Sequence, residues 1–122
     1  MKYNLRTAEQ NDAKLLFDIK VTAMKEVVND GDYDKYLAKF EPEKVQVIQF
    51  EGKDIGRLRV VRSAESIYVG GIQILPEFQG RDIGEAIFTD LITEAESSGL
   101  LITLEVIVME MKRRLIFIKR WV

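Results

Sequence analysis

The chain contains no cysteine and no histidine, and these two absences exclude several kinds of chemistry. Without them there is no thiolate nucleophile, no Ser-His pair and no zinc site of the Cys or HExxH type. Any general base must therefore be a carboxylate, a tyrosine, a lysine or a bound water. The lack of cysteine also agrees with a cytoplasmic location.

Long hydrophobic runs are also lacking. No apolar stretch reaches the length of a membrane span, and residues 1–7 do not have the apolar core of a secretory signal. The 122 residues, 47% hydrophobic and 31% charged, have the composition of an ordinary globular domain. We therefore expect a single domain over residues 1–122, located in the cytoplasm, with no membrane partner.

Charge is distributed unevenly along the chain. Residues 1–111 hold 13 basic and 20 acidic side chains, whereas residues 112–122 hold five basic side chains and no acidic one. An acidic body argues against a nucleic-acid partner and suits amine-bearing substrates, although it serves solubility equally well.

The periodic patterns predict the order of the elements. Strands are expected over residues 2–7, 45–50, 55–61, 67–75 and 100–108, and helices over residues 10–29, 33–40 and 83–98. Residues 51–54 should close a hairpin. The predicted fold class is α/β, with a mixed, mostly antiparallel sheet, helices on both faces, and parallel pairing of the two strands that flank helix 83–98.

Two local features qualify this prediction. The first long helix should bury one apolar stripe, which consists of Leu16, Ile19, Ala23 and Val27. Within the strand over residues 67–75, Gly70 and Gly71 predict a bulge or a close approach by another backbone or a ligand.

The strongest functional signal is LPEFQGRDIGEA, residues 75–86. A strand ends there and a helix begins, so backbone N–H groups and the helix dipole favour a phosphate at this point. Gly80 and Gly84 let backbone approach a ligand, and Arg81 adds a bidentate donor. The alternative is structural only: Asp82 is the N-cap and Glu85 its capping-box partner.

Residues 72–95, IQILPEFQGRDIGEAIFTDLITEA, resemble the acetyl-coenzyme A signature of the GNAT N-acetyltransferases. That signature is Gln/Arg-x-x-Gly-x-Gly/Ala after a strand and a proline. Gln79 and Gly84 match it, and Asp82 stands where the family has its first glycine. The resemblance extends in element order over residues 1–106 and implies a GNAT-like acyl-coenzyme A N-acyltransferase fold.

The resemblance also implies a function. The chain would transfer an acetyl group from acetyl-coenzyme A to a primary amine of a small molecule or peptide, by direct attack and without a metal. The loop amides would hold the coenzyme A pyrophosphate, and the preceding strand would face the pantetheine arm. These cofactor-binding roles fall on Gln79, Gly80, Arg81, Asp82, Ile83, Gly84 and Glu85 and on Ile72, Gln73 and Ile74.

No catalytic residue is assigned. Glu65, Tyr68 and Glu105 are candidates by position alone, and each is better explained as structural. The family's usual thiolate-protonating tyrosine is lacking, because no tyrosine follows Tyr68. Two alternatives to the enzyme therefore stay open: a coenzyme A binding module or inactive truncated acetyltransferase, and an unrelated anion-binding α/β domain.

Residues 107–122, IVMEMKRRLIFIKRWV, depart from the family pattern. GNAT proteins place there a helix with Asn-x-x-Ala-x-x-Leu/Phe-Tyr-x-x-x-Gly-Phe and then two strands, so the final two strands are expected to be missing. Some choices of codons for residues 107–122 would encode GNEKAxNFYKKLG if the reading frame began one base earlier. We hypothesise that this atypical tail is a frameshifted GNAT ending; coding DNA that cannot encode that string would contradict the hypothesis.

The alternative for the tail is a native basic ending that forms a helix or an edge strand. Packing on the domain or on a second copy is favoured over contact with lipid. With both final strands missing, the strand over residues 101–108 would be an open sheet edge, which favours a homodimer through that edge and the tail.

Overall fold

The computed structural model describes residues 3–108 and 113–120, and the side chains of residues 3–103. The strands are β1 Tyr3–Thr7, β2 Val45–Phe50, β3 Lys53–Arg62, β4 Ser66–Ile74, β5 Leu101–Val108 and β6 Arg113–Arg120. The helices are α1 Ala13–Met24, α2 Asp32–Ala38 and α3 Ile83–Ser98. No helix in these ranges combines the length and the apolar character of a membrane span.

The strands form one sheet in the order β1-β2-β3-β4-β5-β6. All neighbours are antiparallel except β4 and β5, which are parallel and flank α3. This arrangement confirms the predicted mixed, mostly antiparallel sheet. It also confirms the predicted parallel pair, because a helical crossover returns the chain to the same end of the sheet.

Each face of the sheet has its own apolar layer. Helix α3 buries one residue per turn against the larger layer, namely Ile83, Ile87, Leu91 and Ala95. On the opposite face Leu16 of α1 packs against Val45 and Val47 of β2. The prediction of helices on both faces is therefore confirmed.

Helix α1 is shorter than predicted, because it ends at Met24. Lys25 adopts a left-handed conformation with φ of 53°, and the N–H of Glu26 donates to the carbonyl of Val21 at 3.0 Å. This pattern closes a helix and turns the chain away from its axis. The prediction that Val27 lies in the buried stripe is wrong, since its side chain is 84% exposed.

The chain after β5 also differs from the prediction. Strand β6 pairs with β5 along its whole length, from Leu101 opposite Arg120 to Val108 opposite Arg113. A tail that follows a strand directly can return beside it as an antiparallel partner. The tail therefore forms an edge strand, one of the two shapes expected of a native ending, and the expectation that β5 is an open edge is wrong. The tail's remaining residues, 109–112 and 121–122, lie outside the described ranges.

A bidentate ion pair joins the first strand to the first helix. Arg6 donates to both carboxylate oxygens of Asp12, at 2.8 and 2.9 Å, and the N–H of Glu9 donates to the same carboxylate at 2.8 Å. The hydrogen bond from Arg6 is the main cause that lowers the pKa of Asp12. The ionised carboxylate is therefore the form that stabilises this corner.

We expect Asp12→Asn to lower the free energy of unfolding by about 1 to 2 kcal/mol at pH 7. Because the folded-state pKa is lowered, this contribution is complete above the unfolded-state value of about 4 and is lost as the pH falls through the folded value. Urea unfolding at pH 7 and pH 3 checks this. An equal loss at both pH values would contradict it, and Asp18→Asn, in an exposed pair with Lys14, is the control.

Candidate functional site

The predicted bulge in β4 is present at Gly70. Arg59 pairs with Gly71 and Val60 with Val69, so Gly70 is the extra residue in the ladder. A Cβ on Gly70 would lie 2.9 Å from the ring of Tyr68, closer than real Cβ atoms approach. A side chain at this position would therefore force the neighbouring side chains to move.

The parallel ladder between β4 and β5 ends at the bulge. It pairs Ser66–Val69 with residues 101–104, although β4 continues to Ile74 and β5 to Val108. Beyond Val69, the edge of β4 that faces β5 therefore has no partner in the β4–β5 ladder. This opening lies along β4, the strand that the resemblance places beside the pantetheine arm.

The loop after β4 is held in place by its own residues. The N–H of Leu75 donates to the carbonyl of Ile55 at 2.9 Å, and the side chain of Gln79 donates to the carbonyl of Ile74 at 2.8 Å. The ring of Phe78 packs edge-on against Phe50, with ring centroids 6.3 Å apart. These contacts fix the direction in which the loop enters α3.

Six consecutive backbone N–H groups, from Gly80 to Glu85, have no hydrogen-bond acceptor within the described part of the chain. The first helical hydrogen bond runs from Ala86 to the carbonyl of Asp82 at 3.0 Å. The N–H of Gln79 is already used, since it donates to Pro76 at 3.2 Å. A run of free amides at the start of a 16-residue helix favours an anion at this point.

Asp82 does not cap α3 with its side chain. It has φ of 62° and ψ of 13°, in the left-handed region, and its carboxylate makes no cap hydrogen bond. A side-chain cap requires an extended backbone at this residue, so the capping-box alternative with Glu85 is wrong. Positive φ also explains why the GNAT pattern has glycine here, since only glycine adopts it without strain.

The side chains of the other predicted cofactor residues point in different directions. Ile72 and Ile74 pack toward the α3 layer, and Ile83 is buried in it, so only their backbone is available. Gln73 points to the opposite face, where its side-chain oxygen accepts a hydrogen bond from Arg57 at 2.9 Å. Arg81 is exposed and lies over the ring of Phe78, 5.2 Å from its centroid.

The candidate catalytic residues are spread along the sheet. Glu65 lies in the turn before β4, at the far end of that strand from the loop. Tyr68 lies beside the bulge, next to Gly70. Glu105 lies in β5, opposite Ile116 of β6, and its side chain is outside the described ones. By position Tyr68, near the end of the ladder, and Glu105, the first residue of β5 beyond it, both lie close to the opening, whereas Glu65 does not.

Two surface grooves of the domain differ in charge. The groove beside the start of α3 is acidic and is lined by Tyr3, Asp82, Glu85, Ala86, Thr89 and Asp90. Tyr3 of this groove has a weakly acidic phenol, because burial, with a hydrogen bond to Asp90, raises the pKa of Tyr3 to about 12. Among the described residues no group of three or more acidic side chains could hold a metal ion.

The second groove is basic, and sequence reasoning missed it. It lies under α1 and α2 and is lined by Lys20, Tyr36, Lys39, Phe40, Glu41, Val45, Arg57 and Arg59; we call it the basic pocket. Arg57 and Arg59 are two residues apart on β3, so both side chains point to one face of the sheet. Two arginines in alternation within the apolar middle of β3, residues 55–61, are the signal that would have revealed it.

No family model matches this chain, and no curated protein sequence matches it. Solved structures do. The N-acetylglutamate synthase of Neisseria gonorrhoeae, solved with coenzyme A and N-acetyl-glutamate, superposes with a TM-score of 0.68 at 11% identity over 100% of this chain and 36% of its own. The Ard1 structure from Thermoplasma volcanium gives a TM-score of 0.66 at 12% identity, over 100% of this chain and 99% of its own.

A GCN5-related N-acetyltransferase from Anabaena variabilis gives a TM-score of 0.66 at 18% identity, over 89% of this chain and 30% of its own. This chain therefore spans only about a third of the Neisseria and Anabaena proteins. At these identities the likeness shows the fold. The chain has the GNAT acyl-coenzyme A N-acyltransferase fold, and the prediction of that fold is confirmed, so an unrelated α/β fold is excluded.

Proposed function

We propose that this chain, which has the GNAT fold, transfers an acetyl group from acetyl-coenzyme A to a primary amine by direct attack of the amine. One observation carries the proposal. The ladder between β4 and β5 opens at Gly70, and the strand that borders the opening leads directly into the six free amides of residues 80–85. A thioester site and a pyrophosphate site would then lie along one continuous path.

The residues present fit coenzyme A by the chemistry of their donors. Orphan N–H groups at a helix N-terminus favour a pyrophosphate through hydrogen bonds and through the helix dipole. Arg81, which has no ion pair among the described side chains, adds a charged donor next to them. Coenzyme A would supply the acetyl thioester as the acyl donor.

The chain's own residues would bind and orient the reactants. The backbone of residues 71–74, beyond the bulge, would hydrogen-bond the arm of the cofactor and the carbonyl oxygen at its end. A backbone N–H fixed toward a carbonyl that gains negative charge can be the largest single catalytic contribution. The lack of cysteine and histidine agrees with direct attack, because it removes the usual acyl-accepting side chains.

A coenzyme A binding module with little activity is the second candidate. One observation favours it: no tyrosine follows Tyr68, so the residue that usually protonates the leaving thiolate is lacking. Loss of a general acid lowers a rate by roughly 100-fold or more. The two candidates share the cofactor site and differ only in turnover.

Release of free thiol from acetyl-coenzyme A, measured with a panel of primary amines, tests the enzyme. Amine-dependent release that shows saturation supports acetyl transfer. Tight binding of acetyl-coenzyme A without amine-dependent release would contradict it and would leave the binding module.

Gly84→Ala separates a cofactor role of this glycine from a structural one. A Cβ at Gly84 would meet only Ile74 Cδ1, at 3.6 Å, which is ordinary van der Waals contact. We therefore expect unfolding stability to stay within about 0.5 kcal/mol or to rise. Affinity for acetyl-coenzyme A should fall about fivefold, because the methyl group would lie among the free amides.

Calorimetric titration and thermal unfolding of the same Gly84→Ala sample measure both quantities. Glu96→Ala, an exposed change near the far end of α3, is the control that should alter neither. A variant that unfolds more easily and binds normally would show that Gly84 serves only the turn.

A further inference from the structure

We infer that the amine acceptor of this chain carries a carboxylate, and that Arg57 and Arg59 of the basic pocket bind it. This inference rests on the proposed acetyl transfer and adds the substrate class. The acidic balance of residues 1–111, taken as a whole, would instead suit a cationic substrate.

The pocket lies beside the place where acetyl transfer would occur. Arg57 pairs with Gln73 and Arg59 with Gly71, so both arginines are neighbours of β4 at the bulge. A Cβ built on Gly71 would lie 3.4 Å from Nη1 of Arg57, and one built on Gly70 would lie 2.7 Å from Nη1 of Arg59. The two guanidinium groups therefore cover the two glycines that mark the opening of the sheet.

Arg57 is a buried cation with neutral partners. It is only 8% exposed, and its side chain donates to the amide oxygen of Gln73 at 2.9 Å and to the hydroxyl of Tyr36 at 3.4 Å. Across residues 3–103 no carboxylate forms an ion pair with Arg57 or Arg59. A buried charge without a counterion is costly. An anionic ligand would supply a counterion that the side chains of residues 3–103 do not provide for Arg57.

Another arginine of the same strand shows the ordinary arrangement. Arg62 forms a bidentate ion pair with Glu94 of α3, at 2.7 and 3.0 Å. That pair lies on the surface and satisfies both partners. Arg57, by contrast, is buried and has no carboxylate partner among the described side chains.

The other charges around the pocket leave it positive. Lys20 is bound to Glu26 at 2.9 Å, and Lys39 has no ion pair in the described ranges. Glu41 is the single carboxylate that lines the pocket. It is bound to Lys44 at 2.8 Å, and the hydrogen bond from Lys44, with a smaller contribution from the charge of Arg59, lowers the pKa of Glu41. A polyamine would be repelled here, whereas a carboxylate matches the planar fork of an arginine.

The aromatic wall of the pocket gives it shape. Tyr36 packs against Phe17 and Phe40, with ring centroids 5.3 and 5.8 Å apart. Its ring lies 6.0 Å from the guanidinium carbon of Arg57. This packing holds Arg57 in one orientation, so a ligand anion would meet a preorganised donor.

Matched pairs of amines that differ by one carboxylate test the inference. Calorimetric titration of the whole chain compares L-lysine with cadaverine, L-ornithine with putrescine, and glycine with methylamine. We expect each carboxylate-bearing amine to bind at least about fivefold more tightly than its partner, since charged hydrogen bonds are stronger than neutral ones. Equal binding within the pairs would overturn the inference.

Two variants locate the effect. Arg59→Gln should remove the preference for the carboxylate, and Arg62→Gln, the matched control on the same strand, should keep it. Arg57→Met is the second variant, and it should unfold at the same or a higher temperature because it removes an uncompensated buried charge. A preference that survives both Arg59→Gln and Arg57→Met would overturn the inference.

The outcomes separate this inference from the proposed function. If acetyl-coenzyme A binds and the carboxylate makes no difference, the inference fails and acetyl transfer stands. If acetyl-coenzyme A does not bind while the carboxylate preference holds and depends on Arg59, acetyl transfer fails and the carboxylate site stands.

Discussion

Gly56→Ala should destabilise the domain by about 2 to 3 kcal/mol, the cost of overpacking a tight interior. A Cβ at Gly56 would lie 2.7 Å from the carbonyl oxygen of Gln73 and 2.9 Å from Ile48 Cδ1. The first of these atoms is backbone and cannot move as the end of a side chain can. Because Gly56 is opposite Ile74, the strain falls on the end of β4 that leads into the loop.

Urea unfolding measures this change, and Gly71→Ala is the matched control. A Cβ at Gly71 would meet only the ends of two long side chains, Gln73 at 3.3 Å and Arg57 at 3.4 Å. Its cost should therefore stay below about 1 kcal/mol. Equal losses for the two variants would show that the close packing at Gly56 is not what the fold depends on.

Asp82→Gly should tighten binding of acetyl-coenzyme A about tenfold, for two reasons. The carboxylate stands among amides that would hold a pyrophosphate, and removing it removes like-charge repulsion. The left-handed backbone, with φ of 62°, also becomes unstrained, since glycine adopts it freely. Together these terms amount to about 1.4 kcal/mol, the energy of a tenfold change.

Asp82→Asn separates the two reasons, because asparagine is neutral and still has a Cβ. If repulsion dominates, Asp82→Asn reproduces most of the gain in affinity. If the backbone dominates, only Asp82→Gly does. Unchanged or weaker binding of acetyl-coenzyme A by Asp82→Gly would overturn the role assigned to this loop.

Strong periodicity made much of the fold predictable. Helix α3 has a sustained apolar face and is stopped by Gly99, so its limits match the sequence pattern. The hairpin between β2 and β3 was equally clear, since Glu51 and Gly52 both adopt positive φ in a tight turn. The GNAT-like order of elements followed from these patterns together with the motif over residues 72–95.

Features that depend on tertiary geometry were not predictable from local spacing. Lys25 ends α1 in a left-handed conformation without the glycine that usually marks such an end. Asp82 has the spacing of an N-cap and the wrong backbone for one. Strand β6 was only one alternative for the tail, because the tail was compared with a family motif that it lacks.

The basic pocket was missed for a different reason. Charge was counted along the chain, where residues 1–111 are acidic, and not on the faces of single strands. The fold brings Arg57 and Arg59 together with Lys20 and Lys39 of the helical layer. A net charge describes solubility, whereas the side chains on one strand face describe a site.

Calorimetric titration of the purified chain with acetyl-coenzyme A, with ATP as the control anion, tests the central claim most directly. We predict saturable binding of acetyl-coenzyme A that is clearly tighter than that of ATP, because the opening beside β4 accepts the pantetheine arm as well as the phosphates. A folded chain that binds neither ligand, or binds both equally, would contradict the claim that this loop and strand form a coenzyme A site.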